Sequence, residues 1–138
     1  MKTMNSQRDV YFSLGGMKFE YDEDKNQVNI KKHGISFRNA AKVFFDYDRI
    51  ELFDEENSID EDRYDTIGDI SLGLASAGRG NVIGNVMGKT GRQSDILFVV
   101  YTERVEMSED GRPMDVTRLI SARMATGFER GLYYGKYE

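Results

Sequence analysis

The sequence predicts an α+β fold, with two N-terminal helices packed on a largely antiparallel four- to five-stranded sheet and a short C-terminal helix. Three observations carry this expectation. Helical signals gather ahead of residue 46, where Phe37, Ala40, Ala41 and Phe44 follow the i, i+3, i+4, i+7 spacing of a core-facing stripe. After residue 50 the apolar runs are strand-like. The two strongest, Ile96 to Tyr101 and Val116 to Arg123, are joined through Glu109-Asp-Gly-Arg-Pro113, which is turn chemistry. The regular alternation of strand and helix that a doubly wound sheet needs is missing.

Residues 1–16 read as an N-terminal extension, polar at first and interrupted by Gly15-Gly16. Residues 17–138 form one domain in this reading. Met17-Lys-Phe19-Glu-Tyr21 alternates and opens it as a short strand. Asp22 is a good N-cap for a helix over roughly Asp24 to His33, and Gly34 follows as its stop. That helix is polar, with Val28 and Ile30 as its main apolar members, so it belongs at the surface. Lys31, Lys32 and His33 complement the dipole in its last turn. Ser36 caps the second helix. Ile50-Glu-Leu52-Phe53 and the run from Arg63 to Gly68 read as strands on either side of an acidic loop. A glycine-rich insertion spans about 69–94, with seven glycines from Gly68 to Gly91. Finally, Thr126 and Glu129 have capping-box spacing, and Phe128 and Leu132 stack on a short last helix.

A chain of 138 residues, 39% hydrophobic, is long enough to bury a core without cross-links. The absence of cysteine excludes disulfides, thiolate nucleophiles and cysteine metal sites, and the single histidine excludes a two-histidine metal motif. No cofactor is called for. No apolar run reaches the length of a membrane span, and the N-terminus lacks a signal-peptide pattern, so a cytoplasmic protein is expected. The net charge is −5, but it is unevenly spread. Between Asp46 and Asp69 eleven acids face two arginines, leaving the remainder of the chain at net +4. One basic face able to meet phosphate is compatible with that distribution.

Gly84-Asn-Val-Met-Gly88-Lys89-Thr90 imitates a phosphate loop but is one residue short, and no helix follows it. Gly78 to Gly84 is one residue too long for the dinucleotide fingerprint, and again no helix follows. More telling is the late hairpin. It brings Glu103 and Arg104 at one strand end towards Arg118 and Arg123 on the return, a carboxylate among guanidiniums on rigid strands. His33 is the one side chain of a type that exchanges protons near neutral pH. Each of these alone has a plain structural reading, as a helix cap or a rim ion pair.

Together these residues resemble a known family. Phe19-Glu-Tyr21-Asp22-Glu-Asp-Lys25, Asn29-Ile-Lys-Lys32-His33-Gly34-Ile-Ser36-Phe37 and Ala40-Ala-Lys-Val43-Phe44-Phe-Asp46 are similar to the opening of the BrnT toxin family. So are Glu61-Asp-Arg63-Tyr64 with Ile67-Gly68, Val99-Val-Tyr101-Thr-Glu103-Arg104, and Arg118-Leu-Ile120-Ser121-Ala-Arg123-Met-Ala125-Thr-x-x-Glu129-Arg130. The resemblance implies a RelE-like ribonuclease toxin of a bacterial toxin–antitoxin pair. Such a protein cuts RNA without metal and is held inactive by a BrnA-type antitoxin, as a dimer or a heterotetramer with it. It would put functional roles on Arg63, Glu103 and Arg123, with Arg104, Arg118 and His33 as further matches.

In that chemistry the 2′-hydroxyl of RNA is the nucleophile. Glu103 or His33 would be the base, Arg63, Arg104 and Arg123 would stabilise the charged phosphorane, and Arg118, Lys31 and Lys32 would hold the backbone. The alternative is a non-catalytic relative that binds a protein partner or RNA through the same sheet, for which the acidic loop and the insertion argue.

Overall fold

The computed structural model describes residues 8–71 and 95–135. The phosphate-loop imitation, nearly all of the glycine-rich insertion, the first seven residues and the last three lie outside these.

Six strands form one sheet in the order β1-β2-β6-β5-β4-β3. They are β1 (Asp9–Leu14), β2 (Met17–Asp22), β3 (Ile50–Phe53), β4 (Tyr64–Asp69), β5 (Ile96–Met107) and β6 (Pro113–Met124). All neighbours are antiparallel except β2 and β6, which run parallel through Phe19 opposite Thr117 and Glu20 opposite Arg118. The sheet is thus wider than the four to five strands expected. The additional strand comes from residues 9–14, within the segment read as an extension. Gly15 and Gly16, both at positive φ, close a two-residue hairpin loop between Leu14 and Met17. A glycine pair between alternating runs signals a tight hairpin rather than a break.

β5 and β6 are also longer than their apolar runs, because ladder pairing continues through exposed residues to Met107 opposite Pro113. A register shift at Val100/Tyr101 leaves Ile120 as an extra residue in β6. Beyond Arg118, β6 has no strand on its outer edge among the described residues, since β2 ends and the chain turns into helix α1 (Glu23–His33).

Asp22 accepts from the backbone N–H groups of Asp24 and Lys25, and Gly34 closes the helix in the left-handed conformation, both as the sequence suggested. Val28 and Ile30 are exposed. What α1 buries is polar: Asn26 and Asn29. The Asn29 Nδ2 donates to the carbonyls of Ile35 (2.9 Å) and Ala122 (2.8 Å), while its Oδ1 accepts from the Ala122 N–H (3.1 Å). One amide therefore does the work of a strand residue along the open edge of β6. Asn26 Oδ1 accepts from Phe37 N at 2.8 Å, tying α1 to the next helix.

That second helix is shorter than its stripe implied. α2 (Phe37–Ala40), capped by Ser36, is one turn, and a 3-10 turn continues it over Ala41–Phe45. The stripe is nevertheless buried as expected, and with Phe19, Tyr21, Val99, Tyr101 and Leu119 it forms the main core between helices and sheet. Gly68 on β4 lies so close beneath Val43 that a Cβ there would meet the valine Cβ at 3.2 Å.

Helix α3 (Gly127–Tyr133) opens on the anticipated capping box of Thr126 and Glu129. It covers one end of the opposite sheet face, where Leu132 and Tyr133 pack on Ile67, Ile96 and Ala125. Phe128 is 62% exposed, so of the pair expected to stack only Leu132 joins this core. Among the described residues, no helix is long and apolar enough to cross a membrane.

Candidate functional site

Strand alternation sorts the predicted residues onto two faces. On β5, Leu97, Val99 and Tyr101 belong to the helix-covered core, and Glu103 continues that row. Phe98, Val100, Thr102, Arg104 and Glu106 form the other row, on the face that α3 covers only in part. On β6, Arg118 pairs with Thr102, Ser121 with Val100 and Arg123 with Phe98, so these three share the second face.

One cluster gathers at the end of this face away from α3. Its centre is Glu20 of β2, 1% exposed. Its Oε2 accepts from Nη1 of Arg104 at 3.2 Å and from Nη1 of Arg118 at 3.1 Å. Arg118 also donates to Asp9 of β1 at 3.0 Å, and Arg104 to Glu61 at 3.2 Å. Arg63 joins loosely, 3.9 Å from the second oxygen of Glu61. Glu20 Oε1 is buried and meets no permanent donor. A hydrogen bond with Glu20, then burial and the charge of Glu20, raise the pKa of the neighbouring Glu106. Tyr11 is pushed up as well, by burial and then by the charge of Glu20.

A second cluster lies beside α3, two rungs of the same face away or about 13 Å at the rise of a strand. Arg123 clasps Glu129 with two hydrogen bonds, 2.8 and 3.0 Å, and its guanidinium stacks 4.2 Å above the Phe98 ring. Nearby Asp65 has its pKa raised from 3.8 to about 6, by burial first and then by the charge and hydrogen bond of Asp54, against the pull of Arg123. Its Oδ1 is buried without a hydrogen-bond partner.

The remaining predicted residues lie elsewhere. Glu103, on the helix side of the sheet, accepts from Thr117 Oγ1 at 3.3 Å, and burial raises its pKa. His33 and Lys32 line a groove between α1 and β6. Lys31 is exposed on the last turn of α1. The sheet thus brings Arg104 and Arg118 together, with Arg63 reached through Glu61, sets Arg123 apart on the same face, and separates Glu103 and His33 from both. Sequence reasoning missed Glu20 and Glu106. Glu20 had a visible signal, a carboxylate inside an alternating Met17–Tyr21 run, but its partners became apparent only with the parallel β2–β6 pairing. Among the described residues, no three His, Cys, Asp or Glu side chains gather as a metal-binding group.

A helix-backed sheet whose other face carries guanidiniums paired with carboxylates makes this a small α+β domain. Residues 21–77 match the family described as ribonuclease toxin, BrnT, of type II toxin-antitoxin system, which is the family that the quoted sequence stretches together resemble. The matched stretch runs from the end of β2 through β4. It includes Lys31, Lys32, His33 and Arg63, whereas Glu103, Arg104, Arg118 and Arg123 lie beyond it. No curated protein matches the chain at a significant level.

Proposed function

We propose that this protein is a metal-independent endoribonuclease toxin, restrained by a BrnA-type antitoxin, that cuts RNA on the partly open face of its sheet. The observation that carries the reading is the pair of guanidiniums of Arg104 and Arg118 fixed on one buried carboxylate oxygen, with Glu106 in the same row of β5 as Arg104. RNA contains its own nucleophile, so the protein must supply charge and proton transfer. The 2′-oxygen bonds to the adjacent phosphorus as its proton passes to a carboxylate, for which Glu61, half-exposed between Arg104 and Arg63, is suited. The bond from phosphorus to the 5′-oxygen then breaks, and that oxygen takes a proton from the acid form of Glu106, whose pKa the hydrogen bond with Glu20 raises. The products are a 2′,3′-cyclic phosphate and a 5′-hydroxyl. Arg104, with 40% of its side chain exposed, reaches the phosphorane while Glu20 keeps it oriented.

Induced expression without the antitoxin should arrest growth and leave RNA ends of that chemistry, and chelators should not protect the RNA. Arg104→Ala should lower cleavage about 10²- to 10³-fold, as loss of one oriented donor does. Glu106→Gln should lower it more than Glu103→Gln, His33→Gln or Arg123→Ala. Intact growth and intact RNA with the wild-type chain would sink the proposal.

One observation favours a second reading, a binding module without catalysis. Each of Arg63, Arg104, Arg118 and Arg123 already meets a carboxylate of its own chain. Capture of a protein partner by purified protein that leaves RNA uncut would select it.

A further inference from the structure

The groove between α1 and the open edge of β6 has a volume of about 330 Å³, and nothing in the chemistry above uses it. Val28 and Ile120 give it apolar walls, and Lys25, Lys32 and His33 stand along it. The acid beside them, Asp24, is held by Arg8 at 3.1 Å. Among the described residues, neither Lys25, Lys32 nor His33 enters an ion pair. The groove is therefore net positive, whereas Arg63, Arg104, Arg118 and Arg123 of the sheet each meet an acid. Its deepest polar group, Asn29, has committed both the donors and the acceptor of its amide to backbone.

Ser121 closes one side, exposed and on the same row of β6 as Arg123. Along that strand it stands between Arg118 and Arg123. A chain lying in the groove would leave it past Ser121 onto the sheet face that carries the arginines.

We propose that this groove is a subsite for one nucleotide of single-stranded RNA, next to the nucleotide that is cut. The base rests between Val28 and Ile120, and its phosphate is held by Lys25, Lys32 and His33. With Asn29 fully engaged, no fixed array of donors reads the base edge, so binding follows phosphate charge and depends weakly on sequence. This rests on the ribonuclease reading for the direction of the strand, not for the existence of the site.

The test is fluorescence anisotropy of the full chain with a labelled 2′-O-methyl oligoribonucleotide, which binds but offers no nucleophile. The double variant Lys25→Gln/Lys32→Gln should weaken binding about tenfold and lower the slope of log affinity against log salt by about 1.4, the value for two contacts to a single strand. Val28→Asp, on an exposed position, should weaken it as well. Arg112→Gln, at the distant hairpin tip, should change nothing. Unaltered affinity and slope in the double variant would overturn the subsite. So would polyglutamate binding in the groove while the oligonucleotide fails to bind, which would assign the groove to an acidic protein. If wild type cuts RNA and the variants bind normally, the subsite alone falls. If groove variants lose binding but wild type cuts nothing, the subsite stands and the ribonuclease reading falls.

Discussion

The sheet arginines and the helix lysines carry the same charge in opposite circumstances. Arg104 and Arg118 are clamped by Glu20, Asp9 and Glu61, and Arg118 keeps only 17% of its side chain exposed. Lys25, Lys31 and Lys32 stand along α1 without acidic partners among the described residues. A clamped guanidinium is preorganised and contributes to the fold, so it suits a task that needs fixed geometry. A free ammonium is mobile and hydrated, so it suits attraction without geometry. The contrast separates two jobs that a simple count of basic residues would merge. Its consequence is that the two regions should respond very differently to mutation.

The largest expected effect is at Glu20. Glu20→Ala leaves two guanidiniums around a buried gap, and breaking a buried pair typically costs about 3–5 kcal/mol. The denaturant midpoint should fall accordingly with little change in slope. A loss below about 1 kcal/mol would mean that Asp9 and Glu61 suffice to hold the arginines, and the clamp would lose its meaning.

Next comes the joint between the regions. Asn29→Ala removes three hydrogen bonds and strands the backbone of Ala122 and the carbonyl of Ile35. About 3 kcal/mol is expected from orphaned buried groups of this kind, and hydrogen exchange at the Ala122 amide should accelerate. A smaller change would show that α1 is held mainly by contacts other than this amide, and the lysine platform would then be less rigid than the sheet.

Asp65 tests the second arginine cluster through pH. Its carboxyl is raised from 3.8 to about 6 in the fold, so the folded state favours the protonated form. The stability it contributes is complete below about pH 4 and is lost as pH rises through about 6. Asp65→Asn should therefore match wild type near pH 4 and exceed it at pH 8, by on the order of 1–2 kcal/mol after discounting for solvent screening. Parallel stability curves for the two proteins would show that Arg123 already balances this carboxyl.

Much of this layout was readable in the sequence, and the exceptions have physical causes. Caps and turns depend on residues within a few positions of one another, which is why Asp22, Gly34, Ser36 and the Thr126–Glu129 box were legible. Glu20 reaches Arg118 across 98 residues of chain, through a parallel pairing that no local pattern encodes. Which face Glu103 occupies depends on strand register and alternation, and the residues of a turn do not specify them. The polar inner side of α1 was misleading for a related reason. Periodicity detects apolar stripes, and here asparagines do the docking.

The smallest stability effect belongs to the lysines, and it is the one that completes the contrast. Lys31→Gln and Lys32→Gln remove charges from the last turn of α1, where the only favourable electrostatics visible among the described residues is that of the helix end. Each should cost no more than about 0.5 kcal/mol in a denaturant melt, as solvent-exposed substitutions usually do. Lys32→Gln, at the groove, should nevertheless lower affinity for an uncleavable oligoribonucleotide more than Lys31→Gln does. If instead the two variants lost stability on the scale of Glu20→Ala, the lysines would be structural cations like the arginines. The division of labour between the two faces would then disappear.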